Sequence, residues 1–142
     1  MTEFALIVPV FLLIVVGLLG FGRVFFYWIS ANHLANETAR WAVVDRVPNP
    51  TQTLQQYAKA NGGTVEFQNA TVCVNYIGTG TTPTLGEPIQ VKISKPFTFV
   101  PLLGIGTITI RGASTQRIER FANGTAPSYS YGTTSSPNAG CL

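Results

Sequence analysis

The chain opens on a run whose apolar positions are not interrupted by any periodic polar ones. From Phe4 to Gly22 (FALIVPVFLLIVVGLLGFG) there is no charged or strongly polar side chain, and fourteen positions are Leu, Ile, Val or Phe. A helix needs about 20 apolar residues to cross a bilayer core, so this run predicts a membrane-seeking helix. Each large apolar side chain favours insertion by roughly 0.3 to 0.6 kcal/mol at the helix centre. The sum outweighs Pro9 and the three glycines, Gly17, Gly20 and Gly22. The run lacks a basic segment before it and a small-x-small site after it, so a retained helix is expected rather than a cleaved secretory signal.

After Arg23 the pattern changes but the helix does not break. Residues 23–44 (RVFFYWISANHLANETARWAVV) contain neither Gly nor Pro. Trp28, Ala31, Ala35, Thr38 and Ala42 recur at spacings of three and four, with Ile29, Leu34 and Trp41 beside them. Asn32, Asn36, Glu37 and Arg40 take much of the remaining surface. Phe25, Phe26, Tyr27 and Trp28 stand at the junction of the two halves, where aromatic side chains suit a bilayer interface. Pro48 and Pro50 cannot continue a helix, so its end is expected near Val47. Residues 1–47 thus form one rod of about 70 Å, at 1.5 Å per residue. A hydrocarbon core is about half that thickness; residues 4–22 are the anchor and residues 23–47 an amphipathic half outside it.

Residues 48–142 read as one small β-rich domain. Thr51 or Thr53 can cap a short helix over LQQYAKA, closed by Asn61-Gly62-Gly63. The period then becomes two. Val65, Phe67, Val72, Val74 and Tyr76 alternate with polar neighbours, giving one strand or two around Asn69-Ala70. Residues 78–88 are a Gly-, Thr- and Pro-rich loop. Ile89, Val91 and Ile93 alternate with Gln90, Lys92 and Ser94, which predicts a strand. KPFTFVPLLGIG is apolar but interrupted by Pro96 and Pro101, and reads as a covered loop or an edge strand. Residues 107–119 are the last strand, with Gly112 as a bulge. An irregular tail, 122–142, follows. The fold class is α+β: a long hydrophobic N-terminal helix, then a small antiparallel sheet with a short helix.

Composition changes this picture little. The net charge is +3, and Lys and Arg are scattered singly, so nucleic-acid binding is not expected. Of the two cysteines, Cys73 and Cys141, an exported domain would make a disulfide; the alternative is two free thiols. The bond would close a loop worth about 4 kcal/mol in the chain-entropy treatment and would pin the tail. His33 is the single histidine and has no evident partners for a triad or a metal. No nucleotide loop, haem site or paired carboxylates are legible, so neither catalysis nor a cofactor is expected. Asn36, Asn69 and Asn123 each begin an Asn-x-Thr triplet. Asn69 and Asn123 are the candidate glycosylation positions; Asn36 lies inside a predicted helix, and chance explains such triplets in an Asn- and Thr-rich chain.

Four stretches together resemble one family. They are Glu-Phe-Ala-Leu at 3–6, the Pro within LIVPVFLL, Gly-Phe-Gly-Arg at 20–23, and Ala-Asn-Glu-Thr-Ala-Arg-Trp-Ala at 35–42. They look like the TadE-type pilin-like proteins of tight-adherence (Tad) pilus systems, relatives of type IV pilins. The run IQVKISKPFTFVPLLGIGTITIRGASTQRIE is similar to their closing strands. The resemblance implies a structural subunit, a pilin or minor pilin or pseudopilin. It would be held in the bacterial inner membrane with its domain outside, then built into an extracellular filament for attachment. Partners would be copies of itself or other pilins through the N-terminal helix, with prepilin peptidase and the Tad assembly machinery. Glu3 matches the carboxylate that pairs with a neighbour's N-terminal amine in type IV filaments. That residue is normally fifth in the mature chain, so either the true start differs or Met1 is not the processed terminus; the missing leader suggests the mature form. Phe4, Pro9, Gly17, Gly20 and Gly22 would form the filament core, with 17–22 a segment that melts on assembly. Two other readings are a single-pass anchored binding protein, with tail residues Tyr129 and Tyr131 as its contact surface, and a type II secretion pseudopilin.

Overall fold

The computed structural model describes residues 2–46, 49, 51–62, 65–78, 82–100, 105–121, 131–132 and 137–142. The side chains of 2, 3, 5, 65, 66, 99, 100, 105, 137 and 138 fall outside that description, as do Val47, Pro48, Pro50, Pro101, Asn123 and Tyr129. Helix α1 spans Thr2–Val43, 42 residues that include Pro9. Helix α2 spans Leu54–Ala60. Strands β1 (Thr71–Tyr76), β2 (Pro88–Val100) and β3 (Ile105–Arg117) make an antiparallel sheet in the order β1-β2-β3. The expected class, a long apolar helix followed by a small antiparallel sheet and a short helix, is the architecture found.

The core lies between one face of the sheet and the upper half of α1. Val72, Val74 and Tyr76 of β1 and Ile89, Val91 and Ile93 of β2 are buried at period two. Their partners from α1 are Ala31, Leu34, Ala35, Thr38, Ala39, Ala42 and Val43, buried at the alternating three-and-one spacing of a helix face. Trp28, expected on this stripe, is instead 49% exposed, and Ala39, not expected there, is fully buried. The stripe runs down through Tyr27 and Val24, both packed against the core, so Trp28 falls off its edge.

Gly112 shows why these residues are small. A Cβ built on it would lie 2.6 Å from both the carbonyl carbon and oxygen of Ala31. The predicted bulge is absent: Ile93 pairs with Gly112 in unbroken register from Pro88–Arg117 to Thr98–Thr107. The glycine serves instead as the point where strand and helix backbones meet, a use of strand glycine that the local pattern does not separate from a bulge.

Two further expectations are corrected, and one pair of alternatives is resolved. Residues Val65–Asn69 form a 3-10 helix rather than a strand; Phe67 is still buried, so its inward place was right and the period wrong. Of the two readings for the segment after Lys95, covered loop or edge strand, the described residues take the second, because β2 continues through Pro96 to Val100. The β1 ladder ends at the Thr71–Ser94 pair while the β3 ladder continues past it. Pro96 therefore sits where β2 has become an edge, the position at which a missing N–H is tolerated. Finally, α1 stops at Val43, before the prolines. Asp45 has φ 46°, its N–H reaches Ala42 O at 3.3 Å, and Arg46 N–H reaches Trp41 O at 3.2 Å. That pair of bonds around a left-handed residue is a Schellman cap. The Val43 carbonyl accepts from Glu119 and Arg120 N–H, at 3.1 and 3.2 Å, so the chain after β3 closes the helix end.

The two peripheral elements follow local rules. Thr53 accepts from Gln56 N–H while the Gln56 side chain accepts from Thr53 N–H, a capping box that starts α2. The described part of the tail is ordered by β1. Leu142 and Val72 exchange both backbone bonds at 2.9 and 3.0 Å, and Gly132 bonds to Tyr76 and Val74 at 2.7 and 2.8 Å. Cys73 and Cys141 form a disulfide, and residues Pro137–Gly140 turn as a 3-10 helix. The free edge of β1 is thereby covered, which removes a template for edge-to-edge pairing.

Candidate functional site

The feature that asks for a partner is the lower half of α1. Phe4, Leu6, Leu13, Leu18 and Phe21 are 65–77% exposed, and none of the 18-residue window that defines the apolar span is buried by the rest of the chain. Side chains of this kind left in water would cost roughly 1.5 to 3 kcal/mol each, so the surface is built for lipid or for other apolar helices. The α-helix satisfies its own backbone bonds, a requirement for any element inside hydrocarbon.

The expected assembly residues lie along this surface. Glu3 is in the first turn of α1, with its side chain outside the described residues. Phe4 and Pro9 are exposed, Gly20 is half-buried, and Gly17 and Gly22 have open space where a Cβ would stand. The helix runs without interruption through 17–22, so the glycine segment is wound, not melted, in this state. These residues share a helix and not a pocket. The alanine stripe, by contrast, is not available to an outside helix, because the chain's own sheet occupies it.

At the junction, tertiary structure assembles a cluster that the local pattern does not show. Tyr27 packs against Phe97 with ring centroids 5.3 Å apart and against Phe67 at 6.2 Å. The Arg23 guanidinium lies 5.8 Å from the Phe97 ring centroid. The Lys95 ammonium lies 5.9 Å from Tyr27 and 6.0 Å from Phe67, within reach of the ring quadrupole. Phe25, Phe26, Trp28 and Ile29 remain about half exposed around the same turn of helix. Residues far apart in the chain contribute, so only the aromatic run 25–28 was legible beforehand.

Elsewhere the candidates are modest. His33 is exposed and lines an open groove with Glu37, Arg40, Trp41, Gln116 and Glu119. Among the described residues no three of His, Cys, Asp and Glu come together in a way that could hold a metal ion. Asn69 is exposed at the end of the 3-10 helix, directly before β1; Asn123 lies outside the described residues. Tyr131, named as a tail contact surface, is packed against the core; Tyr129 is outside the described residues.

No curated protein and no solved structure matches the chain. A family model does: residues 1–40 match the TadE-like protein family, a stretch that covers the apolar run, the aromatic junction and most of the alanine stripe, and leaves the β-domain outside it. Through this helix the chain is similar to the TadE-like proteins.

Proposed function

We propose that this protein is a structural subunit of a Tad pilus, a pilin or minor pilin, with a structural and not a catalytic role. The observation that carries the reading is the division of α1. Its upper half is consumed by its own domain, and its lower half presents mostly large apolar side chains to the outside. A helix apolar on all sides is stable in a membrane or inside a bundle of similar helices. Moving from one to the other exposes little apolar surface, so packing contacts can decide between them. The protein would wait as a single-pass membrane protein with the β-domain on the extracytoplasmic side, then pass into a filament whose core is made of residues 4–22. The disulfide supports that side, since such bonds persist in oxidising compartments.

Imaging of sheared extracellular material with antibody to the β-domain tests this reading. Regularly labelled filaments are expected for a main subunit, and sparse labels for a minor one. Protein confined to the membrane fraction, with unlabelled filaments, would make it an anchored binding protein instead. In the same assay Glu3→Ala is expected to retain membrane insertion and to lose incorporation; normal filaments from that variant would remove Glu3 from assembly.

A further inference from the structure

We infer that the β-domains of neighbouring copies of this chain dock front to flank: Lys92 and Arg111, on the open face of one copy's sheet, enter the groove that Glu37, Trp41 and Glu119 line on the next copy. The inference rests on the filament reading above and adds to it the contact between domains.

The front is the sheet face turned away from α1. Ile89, Val91 and Ile93 of β2 and Ile110, Gly112 and Ser114 of β3 lie toward the helix and are buried. Between them Lys92, Arg111, Ala113 and Thr115 face outward and are exposed. Lys92 stands opposite Ala113 and Arg111 opposite Ser94, so the two cations are diagonal neighbours, their Cα atoms about 7 Å apart. Small or hydroxylic side chains surround them, which leaves both cationic heads standing above a flat surface. Arg117, at the far end of the face, is held by the Gly86 carbonyl at 3.2 Å. Among the described residues no Asp or Glu stands on this face. A surface shaped for solubility alone mixes both signs; here like charges crowd together and lack a carboxylate.

The flank supplies carboxylates. Between α1 and the end of β3 lies an open groove of about 790 Å³. Its charged residues are Glu37, Arg40 and Glu119, with His33 also lining it. Trp41 and Val44 add half-buried apolar wall. Carboxylates outnumber the guanidinium two to one, and among the described residues neither Glu37 nor Glu119 has an ion-pair partner. A cation entering beside Trp41 meets both a carboxylate and an indole ring, two groups that favour it.

The two surfaces differ in height. Gly112, next to Arg111, backs on Ala31. Glu37 is six residues further along α1, and the Glu119 N–H bonds to the Val43 carbonyl. At 1.5 Å per residue the acids stand about 9 to 18 Å above Arg111. Docked copies are therefore displaced along α1. A contact between unlike surfaces with such a displacement does not close into a dimer but repeats from copy to copy. Residues 4–22 span about 28 Å, so the apolar halves of neighbours still overlap.

The test uses the full-length protein and sheared filaments. Carbodiimide, which joins an amine to a carboxylate only in direct contact, is expected to give chain dimers carrying a Lys92–Glu37 or Lys92–Glu119 bond. Lys92→Glu with Arg111→Glu should lower filament yield about tenfold or more, the effect of like charges across an interface. Glu37→Lys with Glu119→Lys should do the same, and all four together should restore most of the yield. Lys59→Glu, on α2, should leave it unchanged. Protease resistance of the β-domain shows that each variant is folded, since all four positions are exposed. Full yield from either reversed pair, or no rescue by the folded quadruple variant, overturns the inference. So would normal filaments from Lys92→Glu with Arg111→Glu that no longer bind a carboxylated polymer, which would give the face to an acidic polymer outside the filament. Wild-type protein absent from every filament would instead overturn the subunit reading on which it stands.

Discussion

The two halves of α1 use the same backbone for opposite purposes. From Phe4 to Gly22 most side chains are large and outward, and the chain itself buries none of the apolar window. From Ala31 to Val43 the inward positions are mostly alanine, and they are sealed under a sheet. Size, more than hydrophobicity, separates the halves. Large apolar groups gain most when an external medium or partner surrounds them. Small ones gain little by transfer but let another backbone approach, as the Gly112–Ala31 contact shows. A small-residue stripe on a long membrane helix is often read as a helix–helix seam; here it is a helix–sheet seam, within one chain.

The comparison can be broken at its closest point. Gly112→Val forces side-chain atoms into the Ala31 carbonyl, which is backbone and cannot turn aside. The expected loss is about 4 kcal/mol or more, the range reserved for gross steric conflict. Protease protection of the β-domain should disappear while flotation with vesicles persists. Loss of both together would mean that the halves are not independent.

Removing the disulfide is the next largest change. Cys73→Ser with Cys141→Ser opens a loop with a sequence separation of 68, and about 2 to 4 kcal/mol of domain stability should go with it. Thermal unfolding followed by near-UV circular dichroism would register the fall. The tail's backbone bonds to β1 should then become exchangeable with deuterium well before those of β2.

A matched pair sharpens the contrast further. Ala35→Leu overfills a fully buried position and should lower stability by about 1 to 3 kcal/mol. Gly17→Leu adds the same bulk where nothing lies within 4 Å. It should leave the domain's melting temperature unchanged, as surface substitutions do within about 0.5 kcal/mol, so any effect on filament yield would belong to packing between subunits. The smallest effect expected is that of Thr53→Ala. It removes the capping box of α2, costs about 1 kcal/mol, and should leave the lower half of α1 untouched.

The parts that local pattern revealed are those governed by near neighbours. The apolar run, the Thr53 cap and the alternation at Ile89, Val91 and Ile93 were all legible, because helix and strand periodicity and capping act over a few residues. The parts it missed depend on distant chain. Val65–Asn69 was read at the wrong period because a short apolar alternation fits two conformations. Around Pro96 the pattern left a covered loop and an edge strand open, and the strand won because β1 is shorter than β2, which residue 96 alone does not disclose. The helix end was assigned to Pro48, whereas Asp45 and the segment after β3 bring it about.

Taken alone, the sequence determined that this chain carries a long helix, that its first half belongs in an apolar medium, and that the rest is a small sheet domain. Those conclusions rest on transfer free energy and on local periodicity, both of which are sums over the chain as written. Tertiary structure alone decided where the alanine stripe goes, why residue 112 is glycine, that the tail seals β1, and that Arg23 and Lys95 share one aromatic cluster. Each of these depends on which distant backbones come within van der Waals reach, and that is settled only when the whole chain has packed.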